Sequence, residues 1–179
     1  MDLQEALVRV VAAMEELRIP YALAGGLASN AWVGEERAQD TYDVDFAVAA
    51  LEPDPATAVR TSLARRNVEA EKADPMAFRR AKIHRLWIAG ITVDFILPRH
   101  RGYPRAALDR TGESLIGARK VRVLSPEDAF LYKALSKRER DLAPMSALAE
   151  REDFDRRYAE RWARRLGVWR FAKRALRAS

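Results

Sequence analysis

The sequence predicts a mixed α/β fold, a mixed β-sheet flanked by helices, with a helical part at the C-terminus. Three observations carry this prediction. Apolar residues at helical spacing alternate with short strand-like runs along the first two thirds of the chain. Four of these runs form two pairs, each joined across a glycine turn. Residues 142 to 177 are helical in composition. We therefore divide the chain into a core, 1–124, and a helical C-terminal subdomain, 125–179.

Composition limits what kind of protein this is. Its 179 residues suit one domain, or one domain with a helical appendage. The absence of cysteine excludes disulfides, zinc-thiolate sites and cysteine nucleophiles. The chain starts without a basic, apolar leader, and no segment approaches the roughly 20 apolar residues that span a bilayer. We expect a cytoplasmic protein without membrane contact.

The first elements are a helix, a strand and a glycine turn. Apolar residues recur at helical spacing over 2–17, and Pro20 blocks extension of that helix. A short buried strand follows at 21–24. Gly25 and Gly26 then open directly into a segment of helical composition, 27–32. This order predicts a strand, a tight turn and a second helix.

The next strand carries two carboxylates. Over residues 41–48 the side chains of a strand alternate, so Asp43 and Asp45 point to one face. Like charges this close repel, which indicates a bound divalent cation or a raised pKa. The pair predicts half of a metal site. After it, Pro55 in a first turn predicts a helix that ends near Arg66.

A third carboxylate occupies the centre of an apolar run. Residues 83–87 and 91–97 are strand-like and are joined across Ala89 and Gly90, which predicts an antiparallel hairpin. Asp94 lies in the second strand, where burying an unpaired ion would cost several kcal/mol. Asp94 therefore needs a partner, either a metal ion or an arginine.

The remaining elements follow from turn and capping residues. Residues 98–112 are rich in Arg, Pro and Gly and predict a surface loop, and a second hairpin crosses Gly117. Ser125 caps the next helix, with Asp128 completing a capping-box pattern, and the helix runs to about Arg140. The rest of the chain is helical with breaks near Pro144 and Gly167.

The positive charge of the chain is concentrated at its C-terminus. The net charge is +6, and residues 161–179 hold seven basic side chains and no acidic one. Trp162, Trp169 and Phe171 interleave with these charges. Two interpretations are open: a surface that binds nucleic acid, or a helix whose aromatic rings face the core while its arginines reach solvent.

Together, the glycine turn and the three aspartates predict the chemistry of nucleotide transfer. Backbone N–H groups at a helix N-terminus bind phosphate oxygens. Asp43 and Asp45 would bind Mg²⁺, or Mn²⁺, that also touches the phosphates of an NTP. Asp94 would complete a second metal site and polarise the attacking hydroxyl.

These residues resemble the DNA polymerase β-type minimal nucleotidyltransferases, and among them the abortive-infection (AbiEii-like) toxins of bacterial toxin-antitoxin systems. The resemblance covers most of the chain in four blocks: Gly25-Gly26 with Asp43-Val44-Asp45, Val93 to Leu97, Ser125 to Asp128 with Lys133 and Arg138 to Asp141, and Asp153 with Asp155. It implies a phosphate-binding glycine turn, three metal-binding aspartates and a nucleotide contact by Lys133.

The resemblance also assigns Arg37, Thr41 and Asp141 to the nucleotide site, with two departures. Many members carry Arg-x-Thr-x-Asp before the metal pair, whereas here Gln39 stands at the arginine position and Arg37 lies two residues earlier. A second aspartate that often follows the one at Asp141 is replaced by Pro144.

The acceptor of the nucleotide is left open by the sequence. The resemblance implies a toxin that modifies RNA, such as tRNA, or a protein, and that has a cognate antitoxin. Two alternatives are a small-molecule transferase of the aminoglycoside type and a noncatalytic RNA-binding protein.

Overall fold

The structure, a computed structural model, describes residues 1–77 and 79–178. The helices are α1 Leu3–Glu16, α2 Gly25–Asn30, α3 Pro55–Ala64, α4 Tyr103–Leu108, α5 Pro126–Ser136, α6 Leu142–Ala149, α7 Arg156–Arg165 and α8 Trp169–Ala178. The strands are β1 Tyr21–Leu23, β2 Asp43–Val48, β3 Glu71–Lys72, β4 Met76–Ala77, β5 Ala81–Ile88, β6 Ile91–Pro98, β7 Gly112–Ile116 and β8 Arg119–Val123. In that part of the chain, no helix is both long and apolar enough to cross a membrane.

The described strands form one mixed sheet of eight strands, in the order β3-β5-β6-β2-β1-β8-β7 with β4 beside β5. The pairs β2·β6 and β1·β8 are parallel, and the other pairs are antiparallel. Both predicted hairpins, β5·β6 and β7·β8, are confirmed. The predicted mixed α/β fold with helices on the sheet is also confirmed. The boundary between 124 and 125 stays a prediction.

Helices cover both faces of the sheet and divide its core into two layers. Val44 and Phe95 pack in the layer that contains α1 and α3. Ala47 and Ile96, which point the other way, pack against the layer formed by α2 and the helices from α4 to α8. Because strand side chains alternate, the three predicted site aspartates face this second layer.

The predicted surface loop over 98–112 is wrong, because it contains α4. Gly102 adopts a left-handed conformation, with φ of 84°, that turns the chain into the helix, and Pro104 occupies the first turn, which needs no N–H donor. Tyr103 is fully buried in the second core layer. This burial fixes α4 against the sheet despite the polar composition of the segment.

The predicted break near Pro144 is also wrong. Pro144 lies in the first turn of α6, where its missing N–H has no helical partner to lose. The break instead falls over 150–155, and the Asp155 side chain caps α7 by accepting from the Tyr158 N–H at 2.9 Å. The break near Gly167 is confirmed, since α7 and α8 are separated there.

Two of the three aromatic residues in the basic C-terminal segment face the core, and the third, Trp169, is partly buried. Trp162 and Phe171 are 8% and 7% exposed. The guanidinium groups of Arg165 and Arg174 lie over these rings, at 5.2 and 5.6 Å from the ring centroids. For these two rings the interpretation in which aromatics are buried and arginines reach solvent is confirmed.

Candidate active site

The three predicted aspartates lie side by side on two parallel strands. In the register of β2 and β6, Asp45 pairs with Asp94 and Asp43 pairs with Thr92. A sheet brings such residues within about 5 Å of each other at the backbone. The structure therefore gathers three carboxylates that are up to 51 positions apart in the sequence, on the face covered by the C-terminal helices.

Asp45 is electrostatically the most perturbed of the three. Burial, followed by the negative charges of Asp43 and Asp94, raises the pKa of the Asp45 carboxyl to about 7. The positive charges of Lys133 and Arg138 act in the opposite direction. A carboxylate that is held against two others is destabilised unless a cation joins it.

Asp43 and Asp45 fit a divalent cation better than Asp94 does. In the described residues, no Lys, Arg or His nitrogen lies within 4.0 Å of Asp43 or Asp45. Their hard oxygen donors are the kind that Mg²⁺ and Mn²⁺ prefer. Over the same residues, however, no group of three His, Cys, Asp or Glu side chains is arranged to hold a metal ion. Two of the three predicted metal ligands are thus available.

Asp94 is already paired. Its Oδ1 accepts from Arg85 Nε at 2.6 Å, and its Oδ2 accepts from Arg85 Nη2 at 2.7 Å. Asp94 is only 5% exposed, so this ion pair satisfies a carboxylate that burial would otherwise destabilise. The prediction that Asp94 needs a partner is confirmed, and the partner is an arginine.

The two glycines, which were predicted to form a turn before the helix, are instead the first residues of α2 and pack directly against the aspartate strand. Gly25 has φ of 59°, and a Cβ built on it would lie 1.9 Å from Asp45 Oδ2. A Cβ on Gly26 would lie 2.3 Å from Thr41 Oγ1. The Ala24 N–H donates to the Asp45 carbonyl at 2.8 Å. Gly25 has the left-handed φ that favours glycine, and a Cβ at either position would displace the Asp45 or Thr41 side chain, so the two glycines lie close beside the carboxylates.

Thr41 joins the site, whereas Arg37 is engaged elsewhere. Thr41 lies against Gly26, since a Cβ built on that glycine would lie 2.3 Å from the Thr41 hydroxyl oxygen. Arg37 is exposed and forms an ion pair with Glu150, at the end of α6. The hydrogen bond to Glu150 raises the pKa of Arg37. In this arrangement the Arg37 guanidinium is bound to a carboxylate of the C-terminal part.

Lys133 and Asp141 form a buried pair that faces the carboxylates. Lys133 is only 7% exposed, so its ammonium group is held inside the protein. Its Nζ lies 3.4 Å from Asp141 Oδ1, and Ser136 Oγ donates to Asp141 Oδ2 at 2.7 Å. The positive charge of Lys133 also lowers the pKa of Asp45, so the structure brings this pair to the edge of the same site.

Sequence reasoning missed Arg85, although a signal for it existed. The two-residue turn at Ala89 and Gly90 sets the hairpin register, which pairs Ile88 with Ile91 and Arg85 with Asp94. Counting back from the turn would have placed Arg85 beside Asp94. Asn30 was also missed: its side-chain amide exchanges two hydrogen bonds with the Gln39 backbone, at 2.8 and 3.0 Å, and ties the loop before β2 to α2.

The chain has the nucleotidyltransferase fold, as comparison with solved structures shows. No family model and no curated protein matches it. The solution structure of the antibiotic-resistance factor ANT(2″)-Ia aligns with a TM-score of 0.53 at 16% identity, over 99% of this chain and 91% of that one. The crystal structure of ANT(2″)-Ia in complex with adenylyl-2″-tobramycin aligns with a TM-score of 0.52 at 15% identity, over 97% and 88%.

A third structure gives the same fold. An antigenic nucleotidyltransferase-like protein from Paracoccidioides brasiliensis aligns with a TM-score of 0.51 at 19% identity, over 98% of this chain and 93% of that one. At such low identities the similarity establishes the fold and leaves the reaction to be argued from the site.

Proposed function

We propose that this protein is a Mg²⁺-dependent nucleotidyltransferase that moves a nucleoside monophosphate from an NTP to an acceptor hydroxyl. One observation carries the proposal. Asp43 and Asp45 lie on one strand beside Gly25 and Gly26, where an added Cβ would meet the Asp45 and Thr41 side chains, and Asp45 is destabilised as an anion by burial and by its neighbours. A divalent cation that brings a triphosphate to these glycines would offset the charge on Asp45, which supports the proposal.

Each group has a role in the reaction. Asp43 and Asp45 hold Mg²⁺, or Mn²⁺, which when bound offsets negative charge on the triphosphate. The two glycines, Thr41 and Lys133 contact the phosphates. The acceptor oxygen forms a bond to the α-phosphorus. The bond from that phosphorus to the oxygen between the α- and β-phosphates breaks, and pyrophosphate leaves. Asp94 accepts the hydrogen of the attacking hydroxyl.

For the acceptor, we propose RNA, with tRNA as a specific candidate. Four cations, Arg79, Arg80, Lys137 and Arg170, come together where the core meets the C-terminal helices. Slight desolvation and then repulsion from the three arginines lower the pKa of Lys137. Arg80 Nη2 donates to the Gly167 carbonyl at 2.9 Å, which fixes the core side of this cluster to the turn before α8.

This basic cluster favours a polyanionic acceptor. In the described residues, none of its four members has a carboxylate within 4.0 Å. Arg138 directly follows Lys137, and its positive charge lowers the pKa of Asp45. The cluster therefore begins at the edge of the site. A phosphate backbone placed there would relieve the repulsion and reach the site with a ribose hydroxyl.

The resemblance to the abortive-infection toxins extends the proposal. In that role the enzyme would stop growth by modifying RNA, and a cognate antitoxin protein would neutralise it. Expression in a bacterial host should arrest growth, and an Asp43→Ala variant made at the same level should not. Normal growth with active wild-type enzyme would contradict the toxin role.

A second candidate is transfer to a small molecule. The structure of ANT(2″)-Ia holds adenylyl-2″-tobramycin, an adenylylated antibiotic, on the same fold. An aminoglycoside acceptor also carries positive charge, which the basic cluster of this chain would repel. That repulsion is why we rank RNA first.

The decisive experiment presents every acceptor to the same enzyme. We expect incubation with each of the four labelled NTPs, Mg²⁺ and total RNA to label RNA, and EDTA or Asp43→Ala to abolish the label. Label on an aminoglycoside but not on RNA would establish the second candidate. RNA binding by wild-type protein with no incorporation from any NTP would instead indicate a noncatalytic RNA-binding protein.

Replacing Gly25 with alanine should reduce transfer by about 10²-fold, because the new Cβ would displace the Asp45 carboxylate. Gly90→Ala is the matched control. Gly90 also has a positive φ, 82°, but a Cβ there meets nothing within 4 Å. Initial rates of NTP incorporation should therefore separate the two variants, although both carry similar backbone strain. Equal losses of activity in both would contradict the proposed contact.

A further inference from the structure

Arg85, Asp94 and Asp45 form a row across three neighbouring strands. Arg85 on β5 is in register with Asp94 on β6, which is in register with Asp45 on β2. All three side chains therefore project from the same face of the sheet at the same level. Along the row, the Arg85 cation comes first, the Asp94 carboxylate lies in the middle, and the Asp45 carboxylate, which we assign to metal binding, comes last.

The guanidinium uses both oxygens of Asp94. Nε donates to Oδ1 at 2.6 Å and Nη2 donates to Oδ2 at 2.7 Å, a two-pronged geometry that an ammonium group does not reproduce. The Asp94 side chain is 7% exposed and that of Arg85 is 29% exposed, so the pair is largely shielded from water. In the described residues, Asp94 is the only carboxylate within 4.0 Å of Arg85.

The Arg85–Asp94 ion pair lies inside the row of site residues. Arg85 on β5 reaches Asp94 from the side opposite β2, so its positive charge lies one strand beyond Asp94 and two strands from Asp43 and Asp45. The guanidinium engages both oxygens of the carboxylate that would otherwise be the third metal ligand. A second divalent cation on Asp94 would have to displace the guanidinium or share oxygens with it, against its charge.

We propose that Arg85 is a positioning residue that fixes Asp94 and takes the place of a second metal ion, so that the site binds a single divalent cation on Asp43 and Asp45. This inference rests on the proposed nucleotidyl transfer. It refines the initial expectation that three aspartates share metal binding. Asp94 keeps lone pairs for the acceptor hydroxyl, and Arg85 holds its carboxylate in one orientation.

Counting bound metal tests the proposal without turnover. Mn²⁺ is titrated into the full-length protein and followed by electron paramagnetic resonance, alone and with the α,β-methylene analogue of the NTP that is incorporated best. The signal of the analogue with Mn²⁺ but without protein is subtracted. We expect one Mn²⁺ per chain for wild type and for Arg85→Lys, and a second one for Arg85→Gln, in which Asp94 is released.

Kinetics supply an independent readout. Loss of a group that orients a site carboxylate typically costs 10–100-fold in activity. We expect Arg85→Gln to lower kcat by about that factor with KM for the NTP within about twofold, and Arg85→Lys, which retains the charge, to recover part of it. Arg9→Gln is the control, because Arg9 forms only an exposed pair with Glu5 on α1.

The outcomes separate this inference from the proposed function. Two Mn²⁺ per wild-type chain would overturn it, as would a wild-type kcat in Arg85→Gln. If Arg85→Gln does not fold, Arg85→Lys decides: an unchanged kcat, or binding of two Mn²⁺, would reject the proposal. Failure of the proposed function would appear differently, as wild-type enzyme that incorporates no nucleotide into any acceptor.

Discussion

An Asp45→Asn enzyme is expected to lose at least ~10³-fold in nucleotide transfer and yet to be more stable than wild type in the absence of metal. The loss of activity follows from the role that we propose. Asp45 contributes one of two free carboxylates for the cation, and metal charge stabilises the transition state by several kcal/mol, with each 1.36 kcal/mol equal to a factor of ten.

The gain in stability has an electrostatic origin. Burial and the charges of Asp43 and Asp94 raise the pKa of Asp45 from 3.8 to about 7. At 1.36 kcal/mol for each pKa unit, this rise corresponds to at most about 4 kcal/mol of destabilisation when the carboxylate is charged. The amide keeps the shape of the side chain and removes the charge, so it should recover part of this free energy.

The measurement pairs activity with unfolding. Urea denaturation at pH 7.5 in EDTA should give a higher midpoint for Asp45→Asn than for wild type, with an unchanged slope. Asp74→Asn is the control, because Asp74 is an exposed residue outside the strands, and its free energy of unfolding should change by less than about 0.5 kcal/mol. A less stable Asp45→Asn protein would show that Asp45 serves the fold rather than the cation.

The sequence predicted the strands that carry the site because their signals are local. Alternation placed Asp43 and Asp45 on one face, and the turn at Ala89 and Gly90 defined the hairpin that carries Asp94. What the sequence did not reveal is that β2 and β6 are parallel neighbours, with Asp45 beside Asp94. That pairing joins distant segments, and no local pattern encodes it.

The missed helix α4 has one cause, which is tertiary burial of a segment that looks polar. The segment around α4 is rich in Arg and Pro, but Tyr103 is buried and holds it against the core. Lys133 is also buried, with Ser136 at the end of the same helix and Asp141 in the next turn as neighbours. The partners of Tyr103, which include Tyr132, Trp162 and Asp128, come from elements outside any local window.

A buried carboxylate also joins the elements around the helical part. Asp128 is fully buried at the start of α5. Its Oδ1 accepts from the hydroxyls of Tyr103 on α4 and Tyr158 on α7, each at 3.0 Å. Its Oδ2 accepts from the Ser125 hydroxyl at 2.9 Å. Ser125 caps α5 as predicted, whereas the Asp128 carboxylate serves this network across α4, α5 and α7.

Asp128→Ala should destabilise the protein by about 3 kcal/mol, because it leaves two buried tyrosine hydroxyls and a serine hydroxyl without their acceptor. Thermal or urea unfolding measures the loss. Asp109→Ala is the matched control, since Asp109 forms an exposed pair with Arg105 and its removal should cost less than about 0.5 kcal/mol. Similar losses in the two variants would show that the network does not hold the helices.

The loss in Asp128→Ala should also depend on pH. Burial raises the pKa of Asp128 to about 6, against opposing hydrogen bonds from Ser125, Tyr158 and Tyr103. The folded state therefore binds this proton more tightly than the unfolded state does, and the contribution of Asp128 to stability falls as pH rises from about 4 to about 6. Asp128→Ala removes this dependence, so the variant should lose more relative to wild type at pH 5 than at pH 7. Arg110 Nε also lies 3.7 Å from Asp128 Oδ2. A difference that is larger at pH 7 would mean that Arg110 and the three hydroxyl donors stabilise the carboxylate as an anion by more than burial destabilises it.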